Sequence, residues 1–364
     1  MSQIVIARSV RVATLGVGWH ATHGARVALK AKAHTWARAS KMIRVGYPAV
    51  FSADYFASFP STVELVPVSH DLDHEVDLDV WIPDPYPTRS IRVAPHLRGL
   101  KLVLSLMAGT EWIPNAVGPH VTICNARGAH SVSTAEWTLT AILSALKSFP
   151  FYFELQQQGQ WKRRFEMPER YAQIAGDSRP LYPPVMLEEL TGKRVLLVGH
   201  GSIGQEIERL LAPFRVELTR VARTPRTEPH VHPVSELAEL IPEAEVIILI
   251  LPLTPESHHL IGPAQFALMR QGALLVNAAR GPIVDTEALV AALNSGRIRA
   301  AVDVTDPEPL PEGHPLWSCP NLLITPHIAG STPQFARNSI QTALDELKRY
   351  LAGEPLHNVV RPAS

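Results

Sequence analysis

A chain of 364 residues is long enough for two domains, and its 46% hydrophobic and 19% charged residues are typical of ordinary globular proteins. A formal net charge of zero excludes a general basic field for nucleic acid, and two distant cysteines, Cys124 and Cys319, argue against a disulfide framework. No apolar run reaches the roughly 18 residues of a membrane span. We therefore expect a cytoplasmic protein with neither a nucleic-acid nor a membrane partner.

The first 41 residues differ in charge from the rest of the chain, with seven Lys or Arg and no Asp or Glu. A basic, acid-free start can be an organellar transit peptide. The favoured alternatives are a poorly ordered extension, or residues that precede a true start at Met42. We therefore interpret residues 1–41 as an N-terminal extension, with organellar import as the minority hypothesis.

From Met42 onward, short apolar runs alternate with helix-length segments. A first series of strands is predicted at residues 43–45, 63–68, 80–82, 102–106 and 121–124. A helix is predicted at 131–148, and residues 162–189, rich in proline and charge, are interpreted as a surface insertion. A second series of strands is predicted at 194–198, 216–221, 246–251, 273–277, 300–304 and 322–325, with helices at 285–293 and 333–351. This alternation predicts an α/β fold with doubly wound parallel sheets.

The strongest local signal is the stretch RVLLVGHGSIGQEIERLL, in which a strand runs through a glycine-rich turn into a helix. The turn contains Gly199, Gly201, Ser202, Ile203 and Gly204. The first glycine allows the tight turn, the second lets the backbone approach a pyrophosphate, and the third lets helix and strand pack closely. The helix N-terminus favours the negative charge of the pyrophosphate, so we predict a dinucleotide site here.

Two further features of the sequence have alternative interpretations: a second glycine-rich match and a histidine inside the motif. A second match, GVGWHA at residues 16–21, is interpreted as chance, because a basic segment without a strand to join follows it. His200, inside the loop, could lie near the phosphate, but we favour a tolerated variable position.

The residues after the next strand indicate which dinucleotide binds. In this motif an acid about 20 residues on accepts hydrogen bonds from the adenosine ribose, but here Ala222 stands in its place. Arg223, Thr224 and Arg226 follow at once, and guanidinium and hydroxyl groups suit a 2′-phosphate. We therefore predict preference for NADP(H), with NAD(H) possible. The alternative is a solvated basic turn.

Three chemistry-bearing residues follow the ends of three later strands: Arg280, Glu308 and His327. Open α/β sheets build their sites at these carboxyl ends. Arg280 would clamp a carboxylate and polarise a carbonyl, His327 would donate a proton, and Glu308 would favour the charged imidazole. Taken singly, each has a structural alternative: a helix cap or a pair with Asp285, a solvated loop acid, or a turn residue.

The segments GHGSIG, LPLTPESHHLIG, VNAARGPIVDTEALVAAL, AVDVTDPEPL and LITPHIAGST, in that order, resemble the D-isomer-specific 2-hydroxyacid dehydrogenase family. The resemblance runs from about Met42 to the C-terminus. It implies two Rossmann-like or flavodoxin-like lobes, with the cofactor lobe inserted into the substrate lobe. Residues 42–128 and 330–364 would form the substrate-binding domain, and 129–329, including the insertion at 162–189, the dinucleotide-binding domain.

The resemblance also implies residue roles. Arg280, Glu308 and His327 would be the catalytic residues, and Arg280 would also bind substrate. The backbone N–H groups of Gly109 and Thr110 would bind the substrate carboxylate.

At the cofactor, Asp303 would bind the nicotinamide carboxamide, and Pro252 and Ala278 would line the site. The helix STAEWTLTAILSALKSF resembles the family's dimerisation helix, which implies a homodimer. The crossings near Arg127 and Gly330 would act as hinges.

The leading hypothesis is an enzyme that transfers a hydride between NADPH and a small 2-oxo acid, such as glyoxylate or hydroxypyruvate. Met107 and Trp112 would crowd the pocket, which fits a short acid. The alternative is a dinucleotide-binding corepressor of the same fold. A zinc enzyme is not favoured and no metal site is predicted, because the pairs at residues 230–232 and 258–259 lack companion ligands at useful spacing.

Overall fold

The computed structural model describes residues 42–176 and 187–362. The predicted N-terminal extension, residues 177–186 of the predicted insertion and the last two residues lie outside the described part. The strands are β1 (Ile43–Pro48), β2 (Val63–Val68), β3 (Val76–Asp77), β4 (Val80–Trp81), β5 (Leu97–Arg98), β6 (Leu102–Leu104), β7 (Thr122–Cys124), β8 (Arg194–Val198), β9 (Glu217–Ala222), β10 (His232–Pro233), β11 (Val246–Leu249), β12 (Ala273–Asn277), β13 (Ile298–Val302), β14 (Leu322–Ile324) and β15 (Val359–Arg361).

Helices alternate with these strands, as parallel pairing requires. The α-helices are α1 (Pro87–Val93), α2 (Ile113–Ala116), α3 (Ser131–Leu146), α4 (Phe149–Gln158), α5 (Met167–Ala175), α6 (Ser202–Leu211), α7 (Leu237–Leu240), α8 (Pro263–Leu268), α9 (Thr286–Asn294) and α10 (Phe335–Ala352). Short 3-10 turns lie at Ala53–Phe56, Ala94–His96, Trp161–Glu166, Ala212–Phe214, Val234–Glu236, Ile241–Glu243, Gly281–Ile283 and Pro315–Ser318. Across the described ranges, no helix is both long enough and apolar enough to cross a membrane.

The larger sheet has the strand order β10-β9-β8-β11-β12-β13-β14, and every neighbouring pair is parallel. From β8 the chain first builds outward through β9 and β10. It then returns to the other side of β8 and builds outward through β11 to β14. This reversal leaves a crevice beyond the carboxyl ends of β8 and β11, which is where ligands bind in open α/β sheets.

Both faces of the larger sheet are covered, as its nearly continuous apolar strands require. Leu196 and Val198 of β8 join a cluster with helices α7 to α9, whereas Val195 and Leu197 join a cluster with α3 and α6. Successive side chains of a strand point to opposite faces, so this single strand contributes to two cores. The arrangement holds β8 rigidly beneath the turn that follows it.

The smaller sheet has the order β15-β7-β6-β4-β1-β2, and a separate short pair joins β3 to β5. The pairs from β7 to β2 are parallel, but β15 runs antiparallel to β7. Helix α10 packs Ile340, Leu344 and Leu347 into the cluster on one face of this sheet. The C-terminal segment thus returns to the sheet that the chain built first.

The α/β class and the doubly wound parallel sheets are confirmed; three of the eleven predicted strands agree at both ends, and the other eight are shifted by one to three residues at one or both ends. The first sheet uses residues from 43–124 and 359–361 and the second from 194–324. The boundaries of a substrate-binding and a dinucleotide-binding domain stay a prediction.

Two helical segments differ from the prediction. The helix expected at 131–148 ends at Leu146, because Ser148 takes a left-handed conformation with φ 51° and Pro150 opens the separate helix α4. The expected insertion contains α5, which has Pro168 in its first turn and ends at Gly176 with φ 69°. Proline at the start and glycine just past the end of a helix were the available signals.

Candidate active site

The glycine-rich loop at residues 199–204, which we call the phosphate loop after its predicted ligand, follows β8, and its three glycines differ in their steric surroundings. Gly199 has φ +108°, and a Cβ there would overlap the carbonyl oxygen of Ile250. A Cβ on Gly204 would overlap the carbonyl of Gly199, so α6 packs directly on the turn. Gly201, the N-cap of α6, has φ −84°, and a Cβ there would meet no described atom within 4 Å. The loop is therefore closely packed at Gly199 and Gly204 and open at Gly201. This fits a pyrophosphate that approaches Gly201.

The other two loop residues begin α6. Ser202 is its first residue, and Ile203 packs its partly buried side chain against the cluster beneath. The helix therefore presents its free N–H groups to the open space above Gly201.

The basic turn after β9 is split between two environments. Ala222 ends the strand, and Arg223 and Thr224 are exposed. The charge of Arg223 contributes to a lowered pKa of Glu256, which is due first to the Thr254 side-chain hydrogen bond. Arg223 therefore lies at the rim near the segment that follows β11.

Arg226 turns instead toward the phosphate loop. Its Nη2 lies 2.5 Å from His200 Nδ1 and donates to the His200 carbonyl at 3.1 Å. His200 is 6% exposed and its Nε2 lies 2.6 Å from Glu208. His200 is therefore hydrogen-bonded through both ring nitrogens, and the expectation that its position is a tolerated variable one stays a prediction.

Arg280 follows β12 in a loop that a buried asparagine holds. The Asn277 side chain donates to the Arg280 carbonyl at 3.0 Å and accepts from the Ala279 N–H at 3.0 Å. A Cβ on Gly281 would overlap the backbone of Thr305, so this glycine lets the loops after β12 and β13 meet. Arg280 is thereby fixed at the carboxyl edge of the larger sheet.

The loop after β6 reaches the same place from the smaller sheet. Glu111 Oε1 lies 3.3 Å from Arg280 Nε, and a Cβ on Gly109 would overlap the guanidinium. Thr110 is buried, and its carbonyl accepts from the Ile113 N–H at 3.0 Å. The structure therefore brings the predicted substrate residues Gly109, Thr110 and Arg280 together.

The two side chains expected to crowd the pocket differ in placement. Trp112 packs edge-on against Trp81, with ring centroids 6.2 Å apart, and belongs to a core cluster of the smaller sheet. Its apolar ring therefore packs the loop after β6 against the smaller sheet. Met107 is half-buried at the start of the same loop.

Glu308 and His327 form an ion pair, with 2.6 Å between Oε1 and Nδ1. The hydrogen bond to Glu308 raises the pKa of His327 above its ordinary value, and the Arg280 charge opposes this shift. The pKa of Glu308 is lowered, first by that hydrogen bond and then also by the charge of Arg280. The three predicted residues therefore share one electrostatic environment. His327 also has φ 53°, a conformation that is uncommon outside glycine.

Asp303 fixes the loop that carries His327. Its carboxylate is 2% exposed and accepts hydrogen bonds from the Thr325 hydroxyl at 2.5 Å, from the Ile328 N–H at 2.9 Å and from the Ala329 N–H at 2.8 Å. The Asp303 carbonyl accepts from the His327 N–H at 2.7 Å. These contacts give Asp303 a positioning role, and its contact with a nicotinamide stays a prediction.

The two predicted lining residues follow neighbouring strands. Pro252 is exposed after β11, where its carbonyl accepts from the Ser257 hydroxyl at 2.9 Å, and Ala278 is half-buried directly after β12. Both lie on the crevice side of the larger sheet. Their contact with a cofactor stays a prediction.

The predicted hinge crossings meet around a buried histidine. His130 stacks on Phe335 with 5.1 Å between ring centroids, and its Nδ1 lies 3.1 Å from where a Gly330 Cβ would stand. Arg127 donates to the His357 carbonyl at 3.1 Å. Burial lowers the pKa of His130. The two crossings are therefore packed together, and hinge motion stays a prediction.

Sequence reasoning missed Glu111 and Asn277, which hold Arg280 and its loop, and it missed that His200 contacts Arg226. Only Asn277, at the end of a strand beside the Arg280 loop, had a local signal. Within residues 42–176 and 187–362, no group of three His, Cys, Asp or Glu side chains could hold a metal ion.

With this geometry in place, sequence comparison identifies relatives. D-3-phosphoglycerate dehydrogenase of Methanocaldococcus jannaschii is 33% identical over 245 residues, which cover 66% of this chain and 43% of that protein. Glyoxylate/hydroxypyruvate reductase B of Enterobacter sp. (strain 638) is 38% identical over 207 residues, 55% of this chain and 63% of the relative. The chain thus matches less than two thirds of the length of either curated relative.

A solved structure and a family model extend the likeness. The D-isomer specific 2-hydroxyacid dehydrogenase from Xanthobacter autotrophicus Py2, in complex with NADPH and MES, is 27% identical with a TM-score of 0.66. That likeness covers 88% of this chain and 98% of the other. The model of the D-isomer specific 2-hydroxyacid dehydrogenase NAD binding domain matches residues 139–329, more than half of the 364 residues. The chain therefore belongs to the D-isomer-specific 2-hydroxyacid dehydrogenase family.

Proposed function

We propose that the chain is an NADPH-preferring reductase of small 2-oxo acids, of the glyoxylate or hydroxypyruvate class, that forms the D-2-hydroxy acid. One observation carries the proposal: Arg280 and the Glu308–His327 ion pair lie in electrostatic range of one another at the crevice edge of the larger sheet. The cation suits the carboxylate of a 2-oxo acid. The proton donor, with the protein carboxylate beside it, suits the reduction of the neighbouring carbonyl.

Each of these residues has a defined task in that reaction. The Arg280 guanidinium binds the substrate carboxylate, aided by the N–H groups of Gly109 and Thr110. Because Glu308 engages His327 Nδ1, Nε2 is the atom that delivers a proton to the carbonyl oxygen. Glu308 stabilises the imidazolium before the transfer and favours its reprotonation from solvent afterwards.

The loop after β8 supports the dinucleotide part of the proposal. The open space above Gly201 admits a pyrophosphate, and Gly199, Ser202, Ile203 and Gly204 shape the turn and the helix start. A bound reduced nicotinamide supplies the hydride. Pro252, Ala278 and Asp303 stand on the crevice side of three neighbouring strands, where they would line the nicotinamide end.

The preference for NADPH rests on the end of β9. Ala222 offers no carboxylate to repel a 2′-phosphate, and Arg223 and Thr224 are exposed donors beside it. The relative from Xanthobacter was solved with NADPH, and the relative from Enterobacter is a glyoxylate/hydroxypyruvate reductase by name, which supports both halves of the proposal.

We also propose a homodimer that resides in the cytoplasm. Four aromatic side chains at residues 149–165 are more than half exposed, and aromatic side chains are enriched where protein interfaces form. We call them the aromatic surface: Phe149, Phe153, Trp161 and Phe165. Both cysteines are free thiols, which is compatible with a reducing compartment.

Turnover tests the activity. Purified protein is mixed with NADPH or NADH and a panel of 2-oxo acids, and the loss of reduced nicotinamide is followed by absorbance. We expect turnover with glyoxylate or hydroxypyruvate, and a loss of roughly 100-fold to 10,000-fold in His327→Asn with dinucleotide binding retained. Dinucleotide binding without turnover of any acid would contradict the enzyme and favour a dinucleotide-responsive regulatory protein.

A pair of arginine variants tests the cofactor preference. Arg223→Ala is expected to raise KM for NADPH and leave KM for NADH nearly unchanged. The matched control is Arg215→Asn, which removes an exposed arginine before the opposite end of β9 and tolerates the φ of 53° there. Equal changes in both cofactors, or no change in Arg223→Ala, would contradict the assignment of Arg223.

A further inference from the structure

His200 occupies a position in the phosphate loop where it links two charged side chains. Its Nδ1 lies 2.5 Å from Arg226 Nη2, and its Nε2 lies 2.6 Å from Glu208 Oε2. A guanidinium can only donate hydrogen bonds, so Nδ1 must be the acceptor. The ring proton therefore sits on Nε2 and is donated to the Glu208 carboxylate.

The Glu208 carboxylate, which accepts from His200, is itself fixed by an arginine. Arg220 of β9 donates to Glu208 through Nε at 2.9 Å and also through Nη2. These contacts, with that of His200, lower the pKa of Glu208 to about 2, so it remains a charged acceptor. Arg220, Glu208, His200 and Arg226 thus form a chain of hydrogen bonds from β9 across α6 to the basic turn, here named the relay.

Arg226, at the end of the relay, is held in place but keeps hydrogen-bond donors for a ligand. Nη2 donates to both the ring and the carbonyl of His200, and the backbone of Arg226 exchanges two hydrogen bonds with Val231. Among the described residues, Nη1 and Nε of Arg226 have no hydrogen-bond partner. The relay therefore holds a guanidinium against the phosphate loop with three N–H donors left to offer.

Arg226 is held where the adenosine end of a dinucleotide is expected to bind. In this fold the pyrophosphate lies on the loop after the first strand, and the adenosine ribose lies beside the end of the second. Arg226 joins these two places, since it follows β9 in sequence and contacts the loop after β8 in space. Arg223, by contrast, is exposed and has no anchor of this kind among the described residues.

We propose that His200 is a positioning residue for cofactor selection, which holds Arg226 so that its free donors bind the 2′-phosphate of an adenosine dinucleotide. This rests on the proposed preference for NADPH and adds the residue that orders the phosphate site. A pre-positioned guanidinium loses little side-chain entropy on binding, so it discriminates the 2′-phosphate more strongly than the exposed Arg223.

Binding of two small probes tests this without any turnover. Adenosine 2′,5′-bisphosphate carries the 2′-phosphate, 5′-AMP lacks it, and calorimetry gives both Kd values for the full chain. We expect Arg226→Ala and His200→Leu each to weaken the bisphosphate by about tenfold or more and to change 5′-AMP less than twofold. The variant that combines Arg226→Ala and His200→Leu should bind the bisphosphate with a Kd no higher than that of the weaker-binding single variant, because both substitutions act through one guanidinium.

Two more histidine variants keep the test valid if the buried leucine impairs folding. His200→Gln places its amide near the position of Nε2, so it can donate to Glu208 but offers no acceptor at the Nδ1 position, and it should weaken the bisphosphate as His200→Leu does. His200→Asn places Oδ1 at the position of Nδ1, so it can still accept from Arg226 and should restore most of the affinity. The control is Glu206→Gln, which removes an α6 carboxylate paired with Arg209 outside the relay and should alter neither Kd.

The outcomes separate this inference from the proposed function. Equal loss of both probes in His200→Leu and His200→Gln, or no loss of the bisphosphate in either, would overturn the positioning role even if NADPH remains preferred. A wild-type chain that binds both probes equally would overturn the inference and the NADPH preference together. A chain that discriminates the probes but reduces no 2-oxo acid would support the relay and overturn only the reductase.

Discussion

Arg280 Nε lies 3.3 Å from Glu111 Oε1, so the guanidinium proposed to bind the substrate carboxylate already faces a carboxylate of its own chain. A substrate must displace or share this partner. The side chains are 31% and 48% exposed, so solvent screens the pair and its contribution is small, about 0.2–1 kcal/mol.

The first prediction is that Glu111→Gln lowers KM for 2-oxo acids by up to about fivefold with kcat little changed, because Arg280 loses its competing partner. Steady-state kinetics with saturating NADPH measure this. The control is Glu64→Gln, since Glu64 pairs with Arg44 at 3.2 Å with similar exposure, 45% and 28%. A KM that rises in Glu111→Gln would instead make Glu111 part of substrate binding.

The second prediction concerns pH. In the proposed mechanism reduction needs protonated His327, and the hydrogen bond to Glu308 raises the pKa of His327, so the rate is expected to persist to higher pH than an ordinary histidine would allow. Glu308→Gln removes the largest cause of the raised pKa. We therefore expect the fall in kcat with rising pH to begin at lower pH in this variant, as followed by pH profiles under NADPH saturation.

An exposed acid of the same loop supplies the control for this experiment. Glu312→Gln removes one negative charge near Glu308 in sequence without touching His327, so its profile should overlay that of the wild type. If the Glu308→Gln profile also overlays it, then either His327 is not the proton donor or Glu308 does not set its pKa. Direct titration of the His327 ring by NMR would decide between the two.

The third prediction separates two glycines of the phosphate loop. Gly201→Ala places a Cβ where no described atom lies within 4 Å, at a φ of −84° that alanine adopts readily, so thermal stability should not change. The methyl group would stand in the way of the pyrophosphate, and dinucleotide Kd should rise about tenfold or more.

Gly204→Ala is the opposite case, because its Cβ would overlap the carbonyl of Gly199. We expect it to destabilise the fold by about 1–3 kcal/mol, measured by denaturant unfolding without any ligand. A stable Gly201→Ala variant that still binds NADPH as tightly as the wild type would show that the pyrophosphate does not approach this turn.

Much of the fold was predictable because apolar runs and glycines report local geometry. The strand β8, the turn at Gly199 and the start of α6 are specified by adjacent residues, so a single chain segment defined them. Strand ends were less certain. The antiparallel β15 escaped prediction because its pairing partner β7 lies far away in sequence.

The catalytic candidates were predictable as residue types after strands, but their partners were not. Glu111 meets Arg280 because loops of two different sheets converge, and His200 meets Arg226 because β9 returns beside β8. Neither pairing has a spacing rule that the sequence alone could reveal. Conversely, the packing of Trp112 against Trp81 had no signal in the sequence, and the place of Trp112 in a substrate pocket stays a prediction.

The last prediction concerns the aromatic surface. Phe153 is 60% exposed and Trp161 is 76% exposed, and Arg164 stacks on Trp161 with its Cζ 5.6 Å from the ring centroid. Large aromatic and arginine side chains are the residues that most often dominate protein interfaces. We therefore expect the double variant Phe153→Ser/Trp161→Ser to be monomeric at concentrations where the wild type is a dimer.

Sedimentation velocity over a range of concentrations measures this change, and circular dichroism checks that the fold persists. The control is Tyr86→Ser, because Tyr86 is 62% exposed but lies before α1 on the smaller sheet. It should leave the dimer intact. A wild-type chain that stays monomeric at all concentrations would contradict the homodimer. A dimer that survives the double variant would place the interface elsewhere, since two buried aromatic anchors cannot be lost from an interface core without weakening it.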